Sequence, residues 1–104
     1  MTLAELKERC EAQGFQYAYG MFKEPVEPPH LVSMTIDTNN FMADDKTYKK
    51  KTPIQLDYTY IDKNLEEQNK IEDIILADIG WNKTEETYLQ DENVWQVSYF
   101  FEIL

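Results

Sequence analysis

Residues 37–62 read DTNNFMADDKTYKKKTPIQLDYTYID, and the change of pattern inside this stretch decides the fold. From Ile54 onward the residues alternate. Ile54, Leu56, Tyr58 and Tyr60 point one way, and Gln55, Asp57 and Thr59 the other. That is the period of a strand with one buried and one wet face. The part before it, Asp37 to Pro53, is polar and irregular. It is long for a connection in so short a chain, and connections beyond about 12–15 residues are usually functional or disordered.

Working outward toward the N-terminus, residues 2–13 predict a short amphipathic helix. Thr2 and Glu5 have capping-box spacing, Leu3, Leu6 and Cys10 form a narrow apolar stripe, and Gly14 stands where a helix stops. Residues 15–22 favour a strand through Phe15, Tyr17, Tyr19 and Met21, with Gly20 marking a bulge or close backbone approach. Pro25, Pro28 and Pro29 make residues 23–30 a stiff connector. Residues 31–36 predict a second strand with Val32, Met34 and Ile36 on one face.

Toward the C-terminus, residues 62–80 predict the longest helix, about four turns. Asn64 and Glu67 are its capping candidates and Gly80 its stop. Leu65, Ile71, Ile74, Ile75 and Ile79 cluster on its inner side. Residues 81–89 and 94–103 flank a QDEN turn and read as a terminal hairpin. The order is α-β-β-β-α-β-β. It predicts one α+β domain over residues 1–104, a two-layer sandwich of a mainly antiparallel sheet with two helices on one face.

Composition narrows the functions. The chain has 104 residues, 42% of them hydrophobic, enough for a folded core. The opening MTLAELKERC lacks the apolar centre of a signal peptide. No apolar run nears the roughly 20 residues of a membrane span, so no membrane role is expected and a cytosolic setting is. The formal charge is −10. Residues 65–104 hold Lys70 and Lys83 against ten acids, while residues 1–64 are nearly balanced. Such a surface repels nucleic acid and anionic lipid.

Motifs for chemistry are missing. The chain contains no phosphate-cradling glycine loop, nucleophile elbow or zinc-helix pattern. One cysteine, Cys10, and one histidine, His30, cannot hold zinc. Asp37, Asp44 and Asp45 lack the glycine of a calcium loop. Glu66–Glu67 and Glu85–Glu86 are adjacent in sequence, so their side chains diverge. The tyrosines at strand spacing suit core packing. The expectation is therefore no enzyme, no cofactor and no metal. What remains is the long connection, where Phe41, Met42 and Tyr48 accompany Lys46, Lys49, Lys50 and Lys51. These seven residues are the candidate subunit or tube interface, a basic arm for an acidic neighbour such as a second copy.

The phrases TLAELKE…GFQYAYGMFKEPVEPPHLV, NNFMADDKTY, PIQLDYTY and TEETYLQDENVWQVSYFFEI resemble small proteins of tailed bacteriophages and prophages. Those proteins come from the head–tail connection and tail-assembly region. The resemblance is to the tail terminator, or tail completion, family, and it spans nearly the whole chain. It implies an α+β subunit forming a homo-oligomeric ring, commonly a hexamer, at the head-proximal end of the tail tube. The ring stops tube polymerisation and offers a docking face to the head. Its partners would be itself, the tail tube protein and a head-completion protein, with DNA passing through but not specifically bound. The setting would be the host cytoplasm during assembly and the virion tail afterwards. The alternatives are a head-closure or minor tail protein, or an acidic DNA-mimic inhibitor.

Overall fold

The first helix, α1 (Leu3–Ala12), is closed by the residues its sequence supplies. Thr2 Oγ1 accepts from the Glu5 amide at 3.2 Å, and Glu5 Oε1 accepts from the Thr2 amide at 3.1 Å, a complete capping box. At the other end Gly14 takes φ +86°, which a side chain would oppose. Its amide donates to Glu11 O (3.0 Å) and that of Phe15 to Cys10 O (3.2 Å). This double bond, a Schellman stop, drops Phe15 into the core beside Cys10. The coordinates, a computed structural model, describe residues 1–36 and 51–104.

Six strands follow around a second helix: β1 (Gln16–Tyr19), β2 (His30–Thr35), β3 (Thr52–Tyr60), α2 (Leu65–Lys70), β4 (Asn82–Lys83), β5 (Thr87–Leu89) and β6 (Val94–Ile103). The sheet runs β1-β2-β3-β6-β4, and β5 also pairs with β6. Only β1–β2 is parallel among the described pairs. A parallel pair needs a crossover, and residues 20–29 provide it. Phe22 packs edge-on against His30, 5.2 Å between ring centres. This is the α+β fold expected, with the 54–60 alternation at its centre.

Register fixes which side chains enter the core. Leu31, Tyr58 and Val97 stand side by side, as do Ser33, Leu56 and Tyr99, and Ile54 faces Phe101. The apolar residues among these, with Leu6 and Cys10 of α1 and Ile71, Ile75 and Leu76, make one buried cluster, and Ser33 is buried beside it. Each fully buried aliphatic side chain contributes about 1.5–3 kcal/mol before entropy is subtracted. Val32 and Met34 do share a face, as expected, but it is the face away from the helices. The fully buried residues of β2 are Leu31 and Ser33.

The second helix departs from expectation. After Lys70 it widens into a π-helical turn, Ile71–Ile75, closed by the Leu76 amide on Ile71 O at 2.9 Å. The wide turn brings Ile75 and Leu76, adjacent in sequence, both onto the sheet. Ile74 is left 50% exposed and Leu65, on the first turn, 65% exposed, so neither belongs to the inner face. The helix ends at Ile75, five residues before Gly80. Its end is closed from outside: Arg9 Nη1 donates to Ile75 O at 3.0 Å and the guanidinium forks onto Asp78 at 2.7 and 3.1 Å.

The expected 81–89 strand is two pieces. Asn82 and Lys83 pair with Phe100 and Tyr99, but Thr87 pairs with Gln96, leaving one surplus residue among 84–86. That is a β-bulge. Thr84 bridges it: its amide donates to Ser98 O (2.9 Å), and its hydroxyl accepts from the Ser98 amide (3.1 Å).

Candidate functional site

Three tyrosines that fill the core send their hydroxyls out to three glutamates at its rim. Tyr58 donates to Glu67 at 2.7 Å, Tyr99 to Glu72 at 2.7 Å, and Tyr60 to Glu86. Burial pushes the Tyr58 and Tyr99 phenols above their ordinary values, and donation to a carboxylate pushes the same way. For Glu72, burial opposes ionisation. Hydrogen bonds from Lys83 (2.7 Å) and Tyr99 outweigh it together and hold the carboxyl below its usual value. Glu67 is thus diverted: Asn64 caps its amide at 3.2 Å, but its side chain serves Tyr58.

Two clefts lie along this rim. The larger, about 430 Å³, is lined by Gln68 of α2, Val97 of β6, and Lys83 to Glu86 across the bulge. The smaller, about 260 Å³, is lined by Pro28, Pro29, Tyr60, Ile61 and Asn64 among others. Lys63 borders both. Its ammonium lies 3.1 Å from Glu86 and 6.0 Å from the Tyr60 ring centre. Gln68 is 5% exposed, and its side-chain oxygen finds no donor among the described residues. Beside the clefts, Tyr88 and Trp95 pack at 5.1 Å and both stay part-exposed.

Other candidates carry less chemistry. Cys10 is fully buried, and burial pushes its thiol up to about 12, so it is no nucleophile at neutral pH. Burial lowers the His30 imidazole, and its Nδ1 is unpartnered among the described residues. On the sheet face away from the helices, Asp57 accepts from Ser98 Oγ (2.6 Å) and Gln55 Nε2 (2.9 Å), a structural network. Among the described residues no metal-holding cluster occurs, and no helix is long and apolar enough to cross a membrane.

Of the residues expected to form the interface, Phe41, Met42, Lys46, Tyr48, Lys49 and Lys50 lie outside the described residues. Lys51 is described and exposed, one residue before β3. Sequence reasoning missed Lys63, Gln68 and the bulge. The signal was present: in WNKTEETYL the alternation fails at Glu85–Glu86. No protein-family profile, curated protein or solved structure matches this chain.

Proposed function

We propose that this chain is a structural subunit of a tailed phage or prophage. In this reading it is a tail terminator that forms a ring at the head-proximal end of the tail tube and stops tube polymerisation, with a hexamer favoured. It also offers the docking face for the head-completion protein. The sequence phrases that resemble that family support the reading, and so does an α+β fold of the kind the resemblance implies.

The observation that carries it is the charge placement along the central strand. The lysine run ends at Lys51, immediately before β3 begins at Thr52. Tyr60, where β3 ends, lines the smaller cleft and hydrogen-bonds Glu86 of the larger one. The eight residue steps between span about 26 Å. A subunit with opposite charges at opposite ends suits head-to-tail contact, which closes into a ring when the rotation permits. The DNA-mimic alternative fares worse. Asp78, Glu72 and Glu86 are tied to Arg9, Lys83 and Lys63, which breaks any continuous phosphate-like row.

The test is complementation of a phage or prophage lacking this gene product. Wild type should restore tails of uniform length capped by rings in negative stain. Replacing Lys49, Lys50 and Lys51 together by Glu should leave melting within about 0.5 kcal/mol of wild type, because exposed charges contribute little. It should abolish capping. Normal yields of infectious particles from the triple variant would sink the reading.

A further inference from the structure

The two clefts, the bulge and the orphan amide form one feature that the fold itself does not require. Lys63 borders both clefts, which together run from Pro29 to Thr84 as one groove. Pro28, Pro29 and Ile61 contribute its apolar surface, with the buried Tyr60 and Val97 at its floor. Between Lys83 and Thr87 the bulge interrupts the pairing of β4 and β5 with β6 along the groove's outer wall. Gln68 presents an acceptor with no donor among the described residues, a costly group to bury unless something completes it. Glu85 is exposed and has no ion-pair partner among the described residues. The groove is thus rich in acceptors and needs donors.

Lys63 shows what kind of group fits. Its ammonium sits at once over the Tyr60 ring and on Glu86, a cation held by a π face and a carboxylate. A lysine ammonium has three donors and no acceptor, which suits Glu85, Glu86 and the Gln68 oxygen. We propose that this groove receives the lysine-bearing segment 46–51, KTYKKK, of a second copy of the chain, with one incoming lysine replacing Lys63. The chain's own Lys49, Lys50 and Lys51 cannot take the place of Lys63 over Tyr60. Lys49 to Lys51 lie within three residues of Thr52, so the backbone carries them at most roughly 10 Å from it. The Tyr60 end of the groove is at the far end of β3, about 26 Å from Thr52. The contact is therefore between copies and head to tail. It rests on the self-assembly reading above and names the receptor for the arm.

Two experiments test it on the full-length chain. In the first, Lys50→Cys protein is mixed with Glu85→Cys protein under mild oxidation, the native Cys10 being buried. A disulfide between unlike copies, at least tenfold faster than between like copies, is the expected result. Equal rates, or no cross-link at high protein concentration, overturn the proposal. In the second, a labelled peptide of residues 44–52 is titrated by fluorescence anisotropy. Wild type should bind it, and Gln68→Leu should bind at least tenfold more weakly. Gln68→Leu should stay folded, because loss of its hydrogen bond to Tyr99 is offset by removal of an unsatisfied buried oxygen. Unchanged affinity in Gln68→Leu, or equal binding of a scrambled peptide of the same charge, overturns the proposal. The outcomes separate the two readings. Rings on tails without the Lys50–Glu85 cross-link sink the groove alone. Cross-linking and peptide binding without any tail-capping activity sink the terminator reading alone.

Discussion

Helix α1 is closed at both ends by residues of its own segment: Thr2 with Glu5 at one end, Gly14 at the other. Helix α2 begins with a comparable cap at Asn64. It ends on a guanidinium supplied by Arg9, 66 residues away in sequence, after a π turn that no local residue announces. The two helices pack on the same sheet, yet one is written locally and the other is finished by tertiary contacts. The difference lies in what replaces the last hydrogen bonds. A glycine at positive φ makes a stop that any sequence reader can place. A long-range arginine makes one that depends on the whole fold.

Four perturbations bear on that contrast. The largest effect is expected at the π turn. Ile75→Asp puts an unpaired carboxylate at a position with no exposure and should unfold the domain, costing upward of 3 kcal/mol. A variant that melts like wild type in circular dichroism would mean that α2 does not lie on the sheet as described. Next is the local cap of α1. Thr2→Ala removes the acceptor for the Glu5 amide and should cost about 1 kcal/mol in urea unfolding, with the m-value unchanged.

A gradual effect comes from acid, and it acts on the α2 side. Glu72 and Asp78 are both held below their ordinary values. For Asp78 the hydrogen bond from Arg9 is the main cause. For Glu72 the bonds from Lys83 and Tyr99 together overcome burial. A depressed carboxylate contributes stability that is complete above its unfolded value and lost as pH falls through the folded one. Melting temperature should therefore hold at neutral pH and begin to fall near pH 4.5, the ordinary value for Glu. In Glu72→Gln that fall should be shallower. A parallel pH curve would remove Glu72 from the account. The smallest effect is at Ile74. Because it is half exposed, Ile74→Gln should change stability by less than about 0.5 kcal/mol. A loss of 2 kcal/mol or more would restore the simpler helix face that sequence periodicity suggests.

Legibility follows the same division. The alternation at Ile54–Tyr60, the capping box at Thr2 and the Gly14 stop are local patterns, and each became the element it predicts, although Asp57 and Thr59, on the face expected to be wet, are buried. Ile74 misleads because its spacing from Ile71 fits an α-helical stripe, while the π turn selects Leu76 instead. Val32 and Met34 mislead because period 2 says which residues share a face, not which face meets the helices. Leu31 and Ser33 win that face through their register with Tyr58 and Leu56. The groove was the least legible part. Its members Lys63, Gln68 and Glu86 are ordinary polar residues in sequence, and only the meeting of α2 with the bulged strand makes them neighbours. The lysines of the arm could be read from composition alone.

The surplus residue among Thr84, Glu85 and Glu86 also gives the hairpin an adjustable link. The pairings on its two sides differ in register by one residue, so a chain shortened by one residue there could keep β4 and β5 on their present partners. Elsewhere along that strand, a one-residue deletion would turn every following side chain to the opposite face. Deletion at the bulge would instead spare the core and straighten the groove's outer wall.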